Sequence, residues 1–339
     1  MAADRSGVEG RGVRGLSEHG GRLDIAAARF PAAPRPWLDL STGINPLRWD
    51  GEAGPVDLGA LPSPAALAAL ESAAAALFGV AAERVAAVPG SETGLRALAG
   101  LDLPAPHAHV APAYGTHAAI WADGVAIGVD ALDATASRGG TILLANPNNP
   151  DGRLLAPDRL LALARALGAR GGWLVVDEAF ADTDPAIGLL PHLAADDPVL
   201  VLRSFGKFFG LAGVRLGFLC GPPAMLDRLR ARLGAWPVSA QAIAIGTAAY
   251  RDAGWIAATR ARLPVMARDL DTVLIEHGLV PVGACPLFRL VTRGDLPTLF
   301  DRLARAGILT RPFADTPHLR FGLPGDAAGL ARLDRALRG

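Results

Sequence analysis

Cysteine is almost absent from these 339 residues: Cys220 and Cys285 stand far apart, at no spacing that metal ligands use. That argues against a disulfide framework or a structural zinc site, predicts no metal, and fits a reducing cytoplasm. Net charge is missing too. Lys plus Arg and Asp plus Glu number 33 each, so no global field draws the chain to nucleic acid or to an anionic membrane. Charge or proline interrupts every apolar run before the roughly 18 residues that a membrane span needs. The opening "MAADRSGVEGRGVRGLSEHGG" has no apolar segment of the kind a secretory signal requires. There is no internal repeat. A Walker-type loop would need a glycine five residues before the Gly206-Lys207 pair and Ser or Thr after it, but Val201 and Phe208 stand there. Neither Gly-x-Gly-x-x-Gly after the first strand nor Gly-x-Ser-x-Gly is found, so nucleotide loops and serine hydrolysis recede.

What is present is apolar mass: 51% of the residues are hydrophobic and 19% charged. The length predicts one large domain and one smaller one. Residues 1–45 are rich in Gly and Pro, with one short helical pattern, "GRLDIAAARF", and read as an arm. Residues 46–235 alternate seven short apolar runs, "RVAAVPG", "HAHVAP", "GVAIGV", "GTILLANP", "GGWLVVDEAF", "PVLVLRSF" and "RLGFLCG", with helical or loop segments. One of the helices is "SPAALAALESAAAALFGV", behind a Ser-Pro start. Apolar strands interleaved with helices predict an α/β fold with a mostly parallel sheet covered on both faces, its ligands beyond the carboxyl ends of the strands. Residues 236–339 carry longer helical patterns and short strands around Leu287–Val291 and His318–Gly322, a smaller α+β unit.

The segments that follow these strands carry the chemistry. "PGSETGLRAL" is a glycine-containing turn that opens a helix, suited to a phosphate or simply a cap. "NPNNPDG" offers the side-chain amides of Asn146, Asn148 and Asn149, or serves as an ordinary turn. Asp177 and Glu178 end the run "WLVVDEAF", where a carboxylate can cap a helix, bind a metal or hold a protonated ring nitrogen. In "VLRSFGKFFGLAGVRLGFLCG", Lys207 sits in the least charged company of the chain, with Ser204 before it and Arg215 after it. A lysine buried there is costly unless paired or neutral, and a neutral amine is a nucleophile.

In this order, phosphate turn, Asn-Pro loop, Asp-Glu-Ala-aromatic and Ser-x-x-Lys-x₇-Arg, the sequence resembles the fold-type-I pyridoxal-phosphate enzymes, the aspartate aminotransferase superfamily, nearly end to end. Within it, "EHGGRLDIAA", "LSTGINPL", "DEAF" and "VLRSFGKFFGLAGVRLGF" are most similar to the L-threonine-O-3-phosphate decarboxylase branch, with the histidinol-phosphate aminotransferases next. The resemblance implies a large domain with a mostly parallel seven-stranded sheet between helices and a smaller α+β domain. It also implies a homodimer and pyridoxal 5'-phosphate as cofactor. By analogy Lys207 would bind the cofactor covalently, Asp177 would pair with the pyridine nitrogen, Asn149 would bond the O3′ oxygen, and Tyr114 would stack on the ring. Ser91, Glu92 (through its N–H alone), Ser204 and Arg215 would hold the cofactor phosphate.

Two departures matter. Phe180 stands where most of the superfamily has a tyrosine, and the decarboxylase branch resembles this chain in carrying phenylalanine there; Leu61 stands where a tyrosine of the partner subunit commonly reaches the phosphate. For the substrate, a phosphorylated amino acid, Arg320 matches the family's carboxylate-binding arginine. Arg311, His19 and Asn45 match further positions near the substrate, and Gly43 stands where the branch often has another asparagine. The expected reaction is decarboxylation of L-threonine-O-3-phosphate to (R)-1-aminopropan-2-yl phosphate, in the aminopropanol arm of cobalamin biosynthesis. Transamination of a phosphorylated amino alcohol such as histidinol phosphate is the alternative.

Overall fold

The computed structural model describes residues 15–313 and 316–338. Its strands are β1 (Leu38–Asp39), β2 (Val85–Val88), β3 (His107–Val110), β4 (Val125–Ile127), β5 (Thr141–Ala145), β6 (Trp173–Asp177), β7 (Val199–Ser204), β8 (Gly217–Cys220), β9 (Pro281–Val282), β10 (Phe288–Val291), β11 (Ile308–Leu309), β12 (Arg311–Pro312) and β13 (Leu319–Gly322). The chain divides into two compact units. One comprises residues 47–261, the other the chain up to Pro46 together with Arg262 onward.

The larger unit holds a seven-stranded sheet in the order β2-β8-β7-β6-β5-β3-β4. Pairing is parallel except around β8, which runs antiparallel to both β2 and β7. All seven apolar runs became strands. The central ones are buried along their whole length, as continuous apolar composition demands of a sheet covered on both faces. β6 contributes Leu174, Val175 and Val176 to the core before reaching Asp177. Each fully buried Val or Leu contributes about 1.5–3 kcal/mol. Three of them offset the few kcal/mol that a hydrogen-bonded carboxylate costs at the strand's end, so polar chemistry can be carried there.

The helix Pro64–Phe78 is capped by the Ser63 hydroxyl, which accepts from Ala66 N–H, and ends at Gly79 in the left-handed conformation. It buries Leu70, Ala73, Ala74 and Phe78. The helix Ala240–Arg251 packs on it. Gly246 makes this approach possible, because a methyl group there would meet Leu216 and Leu70 within 2.5 and 2.8 Å. This packing, continued by Trp255 against Phe208 and Phe209 and by Arg260 Nε donating to the Asp182 carbonyl, is why the division between the units falls after Ala261, beyond the expected 235/236 boundary. The apolar face of 240–251 is satisfied by the large unit.

In the smaller unit, β12-β13-β10-β9 form an antiparallel sheet, and β1 pairs in parallel with β11. β10 and β13 correspond to the expected short strands. The two-residue strands β1, β9, β11 and β12 are too short to leave a period in the sequence. Among the described residues no helix is long and apolar enough to cross a membrane.

Candidate active site

In the larger unit the site grows from the carboxyl ends of β5, β6 and β7. Asp177, the last residue of β6, is buried. Its Oδ1 accepts from Ala179 N–H at 3.1 Å, and its Oδ2 lies 3.1 Å from His117 Nε2. His117 is itself buried and meets the Tyr114 ring edge-on, with centroids 6.2 Å apart. Burial first, then the charges of Glu92 and Asp177, push the Tyr114 phenol upward, which keeps it neutral. Three residues past Asp177, the Phe180 ring lies 5.8 Å from Lys207 Nζ. Tyr114 and Asp177 are thereby linked through His117, while Lys207 meets Phe180, three residues along the chain from Asp177.

Lys207 is the third residue of the one-turn helix Phe205–Phe208, directly after β7. Its neighbours Phe205, Gly206 and Phe208 are buried, but Lys207 is half-buried, not fully buried as its apolar company led us to expect. The apolar side chains around it fill the core, and the amine stays reachable. It is also the only lysine among the 33 basic residues of the chain. That compositional signal marks the residue more sharply than its surroundings do.

The second cluster is built for an anion. Gly90 has φ +86 and precedes the helix Ser91–Ala97. A side chain there would lie 2.7 Å from Arg215 Nη2, so the guanidinium rests over the turn that only glycine can make. Arg215 itself is exposed. Gly217, two residues on, pairs in register with Ser204 and packs against Ser91 N. Ser91, Ser204 and Arg215 are thus brought to one place. The Glu92 carboxylate is spent elsewhere, pairing with Arg96 at 2.8 Å and accepting from the Thr116 hydroxyl at 3.0 Å, which leaves only its N–H for a ligand. That bond also ties the anion turn to the Tyr114 segment.

The loop after β5 sorts its amides. Asn146 exchanges hydrogen bonds with the Leu155 backbone, and Asn148 donates to the Pro112 carbonyl and to Asp151, so both fix the loop. Asn149 is half-buried beside them, and Asn146 N–H donates to the Asp177 carbonyl at 2.9 Å.

Glu178 turns away from this group. It is fully buried, accepts from Leu189 N–H at 2.7 Å and pairs with Arg203 Nε at 3.0 Å, while Arg203 Nη1 reaches Asp182 at 2.7 Å. With two carboxylates on one guanidinium, burial outweighs attraction and pushes Glu178 up to about 7. This triad and His117 were not read from the sequence, because nothing in the spacing of "DEAFAD" or "AYGTHAA" marks them.

In the smaller unit Arg311 and Arg320 are direct cross-strand partners on β12 and β13. Arg320 is buried, donates to the Ser41 carbonyl at 3.0 Å and lies over the Phe288 ring at 4.9 Å. Burial, and then Arg311, lower its pKa to about 9, the mark of a charge that would be relieved by an anion. Arg311 Nη2 donates to the carbonyls of Ser17 and Glu18 at 2.8 and 2.6 Å. His19 is exposed, one residue beyond that contact, and Asn45 is buried.

The larger unit's donor set fits pyridoxal phosphate on its own geometry. It has a glycine turn under a guanidinium for the phosphate, a buried carboxylate held from behind by a histidine, and a reachable primary amine facing an aromatic ring. Among the described residues no group of three or more His, Cys, Asp or Glu could hold a metal ion.

Comparison with known proteins agrees. The family described as aminotransferase class I and II matches residues 105–337. A threonine-phosphate decarboxylase of Pseudomonas aeruginosa is 40% identical over 335 residues, covering 96% of this chain and 98% of its own. A histidinol-phosphate aminotransferase of Granulibacter bethesdensis is 34% identical over 54% of this chain and 48% of its own. The crystal structure of histidinol-phosphate aminotransferase from Sinorhizobium meliloti in complex with pyridoxal-5'-phosphate shares the fold, with a TM-score of 0.76 at 20% identity over 100% of this chain and 99% of that one.

Proposed function

The chain belongs to the aminotransferase class I and II family, and on that premise we propose that it is a pyridoxal-phosphate-dependent decarboxylase of L-threonine O-phosphate, releasing carbon dioxide and (R)-1-aminopropan-2-yl phosphate. The observation that carries the choice is coverage. Sequence likeness to a decarboxylase extends over 96% of the chain at 40% identity, whereas sequence likeness to histidinol-phosphate aminotransferases covers 50–62% of it at 33–36% identity. Phe180 over Lys207 agrees with it, since that position is the one at which the decarboxylase branch replaces tyrosine.

Bound pyridoxal phosphate supplies an electron sink for the bond that breaks at the substrate α-carbon. Asp177 keeps a proton on the pyridine nitrogen, and His117 holds the carboxylate in position for it. Lys207 would provide the amine that holds the cofactor and a group able to move a proton at the α-carbon. Tyr114 would cover the ring and Asn149 would bond O3′. Ser91, the Glu92 N–H, Ser204 and Arg215 hold the cofactor phosphate. Arg320 takes the substrate carboxylate, and Arg311, His19 and Asn45 serve the rest of the substrate, its phosphate above all.

The working form in this proposal is a homodimer. Leu61, 68% exposed, lines a groove of about 460 Å³ together with Val56, Pro62, Ile243 and Thr247, a largely apolar surface suited to a second copy. Two buried free thiols, Cys220 and Cys285, agree with a reducing cytoplasm.

The test is to incubate the protein and cofactor with L-threonine O-phosphate, and separately with histidinol phosphate plus 2-oxoglutarate. Carbon dioxide from the first and no glutamate from the second is the expected result. Glutamate without carbon dioxide would make the chain an aminotransferase.

A further inference from the structure

Four hydrogen bonds converge on Ser41 in the smaller unit, and Ser41 is 1% exposed. Asp39 Oδ1 accepts from the Ser41 hydroxyl at 2.6 Å and from Ser41 N–H at 2.9 Å. The hydroxyl oxygen in turn accepts from Gly21 N–H at 2.7 Å. The Ser41 carbonyl accepts from Arg320 Nη2 at 3.0 Å. A serine hydroxyl rotates freely until its proton is committed. Here a carboxylate takes the proton, and a lone pair is thereby fixed toward Gly21.

The segment that Ser41 holds is built for the purpose. Gly21 has φ +78, and a side chain on Gly20 would collide with the Ser41 carbonyl oxygen, so the "HGG" turn can lie on Ser41 only because both residues are glycine. From the other side Arg311 Nη2 donates to the carbonyls of Ser17 and Glu18. Residues 17–21 are therefore clasped at both ends, and His19 is carried between the clasps.

We propose that Ser41, oriented by Asp39, is a positioning residue for substrate recognition. Its hydroxyl pins the turn that carries His19, its carbonyl holds Arg320, and one residue thereby sets the group that reads the substrate phosphate against the group that reads the carboxylate. This rests on L-threonine O-phosphate being the substrate. Ser41→Ala removes the hydroxyl and keeps the carbonyl, so it frees the His19 turn while leaving the hold on Arg320. The phosphate-reading side should suffer, and the carboxylate-reading side should not.

The experiment measures three things on the cofactor-loaded protein, with Tm and cofactor saturation checked. These are the Kd of L-threonine O-phosphate by calorimetry, the kcat/KM ratio of phosphorylated to unphosphorylated threonine, and amide exchange of the peptide spanning residues 17–22. Ser41→Ala should weaken Kd and lower the ratio by about tenfold, as the loss of one buried hydrogen bond does, and should speed exchange, with kcat falling less than affinity. Asp39→Ala should do the same. The double variant's loss in the ratio should fall short of the sum of the two single losses, because both remove the hydroxyl-to-carboxylate bond, while the Asp39 bond to Ser41 N–H survives in Ser41→Ala alone. If Ser41→Ala does not fold, Asp39→Asn, which keeps the accepting oxygen, compared with Asp39→Ala makes the same comparison. Wild-type Kd, ratio and exchange in Ser41→Ala would overturn the proposal. A wild type that binds L-threonine O-phosphate yet releases no carbon dioxide would overturn the functional reading alone, with Kd and exchange still judging Ser41. Absence of binding to the wild type would overturn both.

Discussion

His117 Nε2 and Asp177 Oδ2 lie 3.1 Å apart, both residues buried, and Asp177 is the carboxylate proposed to face the cofactor's ring nitrogen. A hydrogen bond to a charged group contributes about 1.5–3 kcal/mol. His117→Phe should therefore lower kcat by roughly 10- to 100-fold, with the Lys207-bound cofactor still formed and its absorption spectrum altered. An unaltered spectrum with wild-type kcat would reduce the histidine to a packing residue.

Asp177→Asn keeps the shape and removes the charge. The loss of charge stabilisation in a desolvated site costs on the order of 10³-fold in kcat, with Tm little changed. Steady-state kinetics beside a melting curve check this. Activity within about tenfold of wild type would leave the carboxylate only a structural role.

Arg320 and Arg311 face each other across β12 and β13, and like charges directly opposite destabilise a sheet. The smaller unit bears this strain in the free protein. L-threonine O-phosphate should raise the Tm of the wild type by several degrees and that of Arg320→Met by much less. Unliganded Arg320→Met should match or exceed the wild-type Tm while losing substrate affinity. Equal ligand-induced shifts in both proteins would remove Arg320 from the binding site.

Glu178 gives the pH dependence a sign. Its carboxyl is raised from 4.5 to about 7 in the fold, chiefly by burial, against the pull of Arg203. Between those values the folded protein holds a proton that the unfolded chain releases, so this group's contribution is full below about pH 4.5 and is lost as pH rises through about 7. The Tm difference between wild type and Glu178→Gln should accordingly shrink from pH 5 to pH 8. A difference that stays constant over that range would mean Glu178 is ionised throughout.

Much of this was legible in the sequence because strands buried on both faces must be apolar throughout. Seven apolar runs mark the whole large sheet, the edge strand β4 lying exposed, and Asp177, Ser204 and Lys207 at or just past their ends stand out as exceptions. The antiparallel direction of β8 was not legible, since an apolar tetrapeptide reads alike in either direction. Neither were His117 or the Glu178, Arg203 and Asp182 triad, whose partners lie 60 and 21–25 residues apart and become neighbours only in the fold. Lys207 was expected to be buried because its neighbours are. The fold buries the phenylalanines and leaves the lysine half-buried, as its proposed attachment to a cofactor requires.

The most direct test of the account follows the α-carbon. The protein, loaded with pyridoxal phosphate, is given L-threonine O-phosphate in deuterium oxide, and the products are returned to ordinary water and weighed by mass spectrometry. The account predicts 1-aminopropan-2-yl phosphate carrying one retained deuteron on the carbon that lost carbon dioxide. A 2-oxo acid phosphate, or L-threonine O-phosphate returned with deuterium at its α-carbon and no carbon dioxide released, would contradict it.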